Sequence, residues 1–200
     1  MLYLISNRKL VKDRNFIEVM QQAAEGGVDA IILREKDLPY EELLPIAEEV
    51  KRVIANTKTL LIINSSLQVA KDVQAHGYHS SFNAFMGNKP NFNGELGVSV
   101  HTLEEAVAAE EKGADYLLVS HIFETDCKKG LAPKGIGVIE EVRKAVKIPI
   151  IALGGINLNN AEQVLLAGAN GFAVMSSIMK DESPDILAGE FKKIIKNTVK

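Results

Sequence analysis

The sequence predicts a compact α/β (β/α)8 (TIM) barrel, one domain over residues 1–200, with a degraded fourth helix. Three observations point to it. First, a helix end running through glycine into a short apolar strand recurs in Glu25-Gly-Gly-Val-Asp-Ala-Ile-Ile-Leu33, Glu111-Lys-Gly-Ala-Asp-Tyr-Leu-Leu-Val119 and Ala167-Gly-Ala-Asn-Gly-Phe-Ala-Val174. Gly27, Gly113 and Gly168 sit where a helix C-terminus needs the left-handed conformation, and uniformly apolar strands suit a parallel sheet covered on both faces. Second, the stretches between these hand-overs carry apolar residues at helical spacing. Third, the chain supplies eight such units of roughly 25 residues, the compact end of the barrel range.

The apolar segment from Leu2 opens the first strand, predicted near Leu2–Asn7, and a helix near Asn15–Glu25 leads to the first hand-over. A second strand near Ala30–Lys36 precedes a helix near Tyr40–Ala55, whose Leu43, Leu44, Ala47, Val50 and Ile54 keep three- and four-residue spacing. The third strand, near Leu60–Asn64, is followed by a helix near Leu67–Ala75. Ala75-His-Gly-Tyr-His79, a weaker copy of the hand-over, introduces a fourth strand near Tyr78–Ser81. Phe82–Gly94 reads as mostly irregular, so the helix of this unit is expected to be degraded or missing. A fifth strand near Leu96–His101 precedes a helix near Thr102–Lys112 with Leu103, Ala106 and Val107 on one face. The sixth strand, near Tyr116–Phe123, enters a long loop before a helix near Ile136–Val146. The last units pair strands near Ile148–Gly154 and Gly171–Ser176 with helices near Asn159–Ala167 and Pro184–Asn197. An open doubly wound sheet is the rival, but no Gly-x-Gly-x-x-Gly opens the first strand-to-helix turn.

Composition narrows the function classes. With 46% hydrophobic residues in 200, the chain can bury one core and not two comfortable ones. A net charge of -3 with 24% charged residues of mixed sign leaves no basic surface for nucleic acid. The single cysteine, Cys127, excludes an internal disulfide and suits a reducing compartment, so a cytoplasmic location is expected. No run approaches the roughly 20 apolar residues of a membrane span, and Leu2–Ile5 is too short for a signal segment. A homo-oligomer is compatible with the sequence.

Barrels of this class build their sites from strand C-terminal ends. Those ends are polar here: Ser6 and Asn7, Arg34 to Lys36, Asn64 and Ser65, His79 to Ser81, Ser99 to His101, Ser120 to Phe123, Gly154 and Gly155, and Met175 to Ser177. In Ala152-Leu-Gly-Gly-Ile156 two glycines let backbone approach a ligand. In Ala173-Val-Met-Ser-Ser-Ile178, Ser176 and Ser177 open a short helix whose free N–H groups face an anion. Together they predict a phosphate cradle; the bland alternative is a pair of turning glycines. The loop from Ser120 to Ile136 reads as a lid carrying three lysines. His121 at its base, with an ordinary pKa of about 6.5, is the acid/base candidate, against a structural hydrogen-bonding histidine. Lys128 and Lys129 are candidates to close on the phosphate, or are simply solvated, and Cys127 reads as an inert thiol. Arg34 is placed to grip a carboxylate or phosphate, or to pair with Glu35. Strand-end carboxylates are not clustered, so no metal site and no cofactor are expected.

The runs Gly97-Val-Ser-Val-His-Thr-Leu-Glu-Glu-Ala-Val107, His121-Ile-Phe-Glu-Thr-Asp-Cys-Lys-Lys-Gly-Leu131, Ile148-Pro-Ile-Ile-Ala-Leu-Gly-Gly-Ile156 and Ala173-Val-Met-Ser176, with Leu33-Arg-Glu-Lys36 and Asn64, resemble the thiamine phosphate synthase superfamily, and more closely its TenI-type thiazole tautomerases. A synthase of that superfamily joins a pyrimidine diphosphate to a thiazole phosphate with magnesium, and has an Asp after the third-strand Asn and acidic residues after the fourth strand. Here those places read Asn64-Ser65-Ser66 and His79-Ser80-Ser81-Phe82. The resemblance therefore implies a metal-independent tautomerase that aromatises a carboxythiazole phosphate by proton transfer through His121. Arg34, Asn64, Lys128, Gly154, Gly155, Met175 and Ser176 would hold the phosphorylated thiazole. The alternatives are thiamine phosphate synthesis and a non-catalytic thiazole-phosphate-binding regulator; a phosphoribosylanthranilate isomerase would favour a Cys where this chain has Ser6-Asn7.

Overall fold

The computed structural model describes residues 1–125 and 130–198. Eight parallel strands close into a barrel in sequence order: β1 (Leu2–Ile5), β2 (Ala30–Leu33), β3 (Leu60–Asn64), β4 (Gly77–Ser81), β5 (Glu95–Val100), β6 (Tyr116–Ser120), β7 (Ile150–Leu153) and β8 (Gly171–Val174). Closure is made by β1 against β8, with Leu2 opposite Phe172 and Leu4 opposite Val174. Helices α1 (Phe16–Glu25), α2 (Tyr40–Ile54), α3 (Leu67–Asp72), α4 (Phe82–Gly87), α5 (Leu103–Glu111), α6 (Gly137–Ala145), α7 (Ala161–Leu166), α8 (Ser176–Lys180) and α9 (Pro184–Thr198) lie between and after the strands. The predicted barrel is therefore present, and Gly27, Gly113 and Gly168 take φ of +94°, +88° and +101° at the helix ends.

The fourth helix is degraded, as expected, and not missing. Phe82–Gly87 forms a helix, because Ser81 caps it by accepting the Ala84 N–H at 3.4 Å and Phe85 anchors it in the core. Only the stretch from 88 to 94 is irregular. A short 3-10 turn over Arg8–Leu10, capped by Asn7, is an element the apolar pattern does not announce. No described helix is long and apolar enough to cross a membrane.

Strand side chains alternate between two shells, as a period of two requires. Outward-facing Leu4, Ile31, Leu33, Leu61, Ile63, Leu117 and Phe172 pack with the helices in the larger core. Inward-facing Tyr3, Ile5, Ala30, Ile32, Ile62, Tyr116, Leu118, Ile151 and Ala173 fill the barrel. Burying each large aliphatic side chain stabilises the fold by about 1.5–3 kcal/mol. The N-terminal end of the barrel is closed by paired charge: Asp29 accepts the Leu2 N–H at 2.6 Å and the Lys192 ammonium at 2.7 and 2.8 Å. The same inward parity, continued past the apolar layer, delivers Arg34, Asn64, Ser99 and Met175 to the other end.

Candidate active site

The C-terminal end of the barrel holds a cavity of about 470 Å³. Ile5, Ile32, Leu118 and Leu153 line its apolar part, and strand-end residues supply the polar rim. Such a cleft suits a small ring bearing charged substituents.

On the β2 side, Arg34 and Lys36 reach the cavity, and Glu35 between them points the other way. The buried Glu35 carboxylate accepts the Ser6 hydroxyl at 2.7 Å, the Arg8 N–H at 3.1 and 3.2 Å, and the Arg8 guanidinium at 3.0 Å. Ser6 Oγ in turn accepts the Arg34 N–H at 2.8 Å. Arg8 also grips Asp37, holding that carboxyl well below its usual range, with Lys9 assisting. Glu35 is thus spent on Arg8 and the strand end, and the Arg34–Glu35 pair allowed by the sequence does not form. Neither Arg34 nor Lys36 makes a salt bridge to a carboxylate among the described residues. Next to them, the Asn64 amide donates to Ser65 Oγ at 2.8 Å.

A buried chain of polar groups crosses from β6 to β5. The Tyr116 hydroxyl lies 3.0 Å from His79 Nδ1, and His79 Nε2 lies 2.7 Å from Ser99 Oγ. Gly97, which pairs with Tyr116, leaves the space the Tyr116 ring fills; a Cβ there would run into the ring. Burial, aided by the nearby Arg34 charge, lowers the His79 pKa to about 3, and burial also pushes the Tyr116 phenol well up. At neutral pH the imidazole is therefore neutral and the phenol keeps its proton. With the phenol donating to Nδ1, Nε2–H donates to Ser99 Oγ, and the Ser99 proton is free for a ligand in the cavity.

The β6–β8 side is built differently. His121, buried, sits 3.3 Å from the Leu131 carbonyl through Nε2, and its own carbonyl accepts the Lys134 N–H at 3.0 Å. That leaves one ring nitrogen for a ligand. Gly154 and Gly155 take φ of +111° and +66°. A Cβ on Gly154 would lie 2.5 Å from His121 Cβ and 2.8 Å from its Cα, and one on Gly155 would meet the Glu124 carbonyl. The glycines thus admit the segment after β6 as well as presenting backbone to the cavity. Beyond β8, Met175 and Ser176 lead into α8, whose first-turn N–H groups have no partner within the helix. Ser177 Oγ turns away to the Ile156 carbonyl at 3.3 Å.

Arg34, Asn64, His121, Gly154, Gly155, Met175 and Ser176 all line the one cavity. Lys128, like Lys129 and Cys127, lies outside the described residues. His101 also lines the cavity; its Nδ1 donates to the Ser120 carbonyl at 2.9 Å, and its backbone N–H donates to Glu105 at 2.6 Å beside the N-cap, where Thr102 Oγ accepts the Glu105 N–H. His76 is structural, accepting the Leu61 N–H at 3.0 Å. Tyr116 was missed by sequence reasoning, because a mid-strand aromatic reads as core. Its partner in sequence terms was Gly97, a small residue beside it that signals room for a ring.

Residues 2–178 match the thiamine monophosphate synthase family (TMP-TENI). A thiamine-phosphate synthase of Methanospirillum hungatei is 40% identical over 199 residues, covering 96% of this chain and 94% of that protein. One of Pyrococcus horikoshii is 36% identical over 201 residues, covering 99% and 96%. The solved thiamine phosphate pyrophosphorylase of Pyrococcus furiosus superposes with a TM-score of 0.87 at 33% identity, over 100% of this chain and 96% of that one. These relatives bear the synthase name, which overturns the tautomerase expectation drawn from the His121 run. The expectation went wrong because a histidine at a strand end is compatible with several reactions: the Leu131 carbonyl engages one nitrogen of His121 and orients the ring, which does not by itself select a chemistry.

Proposed function

The chain belongs to the thiamine monophosphate synthase family, and we propose that its pocket makes thiamine phosphate from a phosphorylated thiazole and a pyrimidine diphosphate. In that reaction a ring nitrogen of the thiazole forms a C–N bond to the pyrimidine methylene as the C–O bond to the diphosphate breaks. The diphosphate leaves with the electron pair, so stabilising an anion matters more than moving a proton. One observation carries the reading: the cavity is lined by Arg34 and Lys36 after β2 and by Gly154, Gly155 and Ser176 after β7 and β8, two groups each suited to an anion. Two anionic partners need both.

In this reading the Ser176 side holds the thiazole phosphate, and Arg34 and Lys36 receive the departing diphosphate as fork-shaped and point-charge donors. Asn64 and Ser99 direct polar contacts at the pyrimidine, Ile32 and Leu118 exclude water from the forming bond, and His121 and Met175 bound the thiazole.

The magnesium of synthase chemistry does not fit the residues present. The stretches where acidic ligands are expected, Asn64-Ser65-Ser66 and His79-Ser80-Ser81-Phe82, hold no Asp or Glu, and no three His, Cys, Asp or Glu cluster to hold a metal among the described residues. No step here runs through it.

Incubating the protein with both substrates and following product by mass spectrometry tests the proposal. Thiamine phosphate and pyrophosphate should appear in equal amounts, and their absence with a folded protein would sink it. The missing acidic ligands favour one second reading, binding without turnover. It predicts thiazole phosphate binding by calorimetry and no product under any condition.

A further inference from the structure

We propose that the pocket takes the diphosphate of its ligand as a free polyanion, neutralised by Arg34 and Lys36, and not as a magnesium complex. The inference rests on the reading that a diphosphate enters this site. It begins from a difference between the cations of the molecule. Arg8 is paired with Glu35 and Asp37, Lys9 with Asp37, and Lys192 with Asp29. Arg34 and Lys36, on the cavity wall, have no such carboxylate among the described residues, and the described wall itself contains no Asp or Glu.

Magnesium is usually held through one or two carboxylates in near-octahedral oxygen coordination. The nearby acidic side chains cannot serve, because Glu35 is buried on Ser6 and Arg8 and Asp37 is held by Arg8 and Lys9. Ser65 and Ser81 offer neutral hydroxyls. A dication on this wall would face the two positive charges of Arg34 and Lys36 with no carboxylate among the described residues of the wall to offset them. It would also cancel two of the ligand charges that Arg34 and Lys36 are placed to meet. The wall therefore favours the uncomplexed anion.

Calorimetric titration with inorganic pyrophosphate, once in chelator and once in excess magnesium, decides it. Affinity in chelator should equal or exceed that in magnesium, and Arg34→Ala should weaken it by roughly tenfold or more in chelator, as loss of a charged hydrogen bond does. Lys36 is exposed, so Lys36→Ala leaves the core untouched and should weaken binding in the same direction. Ser65 has a φ of +67°, a conformation Asp tolerates, so Ser65→Asp should fold; it should lose affinity in chelator and regain it with magnesium. Tightening of the unmodified protein by roughly tenfold or more with magnesium would overturn this inference and leave the synthase reading standing. No pyrophosphate binding in either condition would remove the synthase reading and this inference with it.

Discussion

The two sides of the cavity offer groups suited to negative charge by different means. On the side from β2 to β5 the agents are side chains: Arg34 and Lys36 carry charge, and His79 and Ser99 pass inward a hydrogen bond that starts at Tyr116 of β6. At β7 and β8 the agent is backbone, exposed by glycines at positive φ and by the first turn of α8. A side-chain wall fails when an atom is removed. A backbone wall fails when an atom is added, because its geometry depends on what is missing from Gly154.

The largest effect should therefore come from the smallest addition. Gly154→Ala combines a φ of +111° with a Cβ placed 2.5 and 2.8 Å from His121. Backbone strain of about 1–3 kcal/mol and overpacking of about 1–3 kcal/mol add to a loss of roughly 2–6 kcal/mol. Denaturant titration should show it, and a variant as stable as the parent would break the backbone side of the comparison. Arg34→Ala, in contrast, should leave the melting transition in place while weakening anionic ligands by about 1.5–3 kcal/mol, roughly 10- to 150-fold. Titration with thiazole phosphate and with pyrophosphate should show the loss mainly for pyrophosphate; equal losses would mean that the two sides are not separate.

Much of this arrangement could be read beforehand, and the part that could not has a physical cause. The barrel was legible because Gly27, Gly113 and Gly168 mark helix ends by a conformation other residues resist, and because buried parallel strands leave an unmixed apolar signal. Strand-end parity then brought Arg34, Asn64 and Met175 to one cavity. What failed was information carried by partners distant in sequence. Nothing at Arg34 states that Glu35 is taken by Arg8 and Ser6, and nothing at His121 states that Leu131 occupies a ring nitrogen. Tyr116 looked like core because its hydroxyl finds its acceptor 37 residues away, at His79.

The side-chain wall also has a pH signature. The folded-state pKa of His79 is lowered to about 3 from 6.5, so folding favours the neutral ring. Its contribution is present above pH 6.5 and is lost as the pH falls from there through the folded-state value. Between those limits stability should drop by at most about 1.4 kcal/mol per pH unit from this group. Melting curves recorded from pH 7 down to 4 should show the decline, and His79→Gln should flatten it. An unchanged slope in that variant would mean that His79 is solvated. Tyr116→Phe should cost about 1–2 kcal/mol by leaving Nδ1 without its donor. Its effect on ligand affinity should vanish in a Ser99→Ala background if the relay ends on Ser99, which a double-mutant cycle measures.

The smallest expected effect separates the two walls most cleanly. Ser176 lines the cavity, and a hydroxyl there would ordinarily be credited with phosphate binding. If the wall at β8 works through backbone N–H groups, Ser176→Ala removes none of them, and Ala is compatible with the start of α8. Affinity for thiazole phosphate should then fall by only about 0.5 kcal/mol, roughly twofold. A loss as large as that of Arg34→Ala would place the recognition in the Ser176 side chain. Both sides of the cavity would then work by the same means, and the positive φ of Gly154 and Gly155 would serve only to seat the segment from His121 to Glu124.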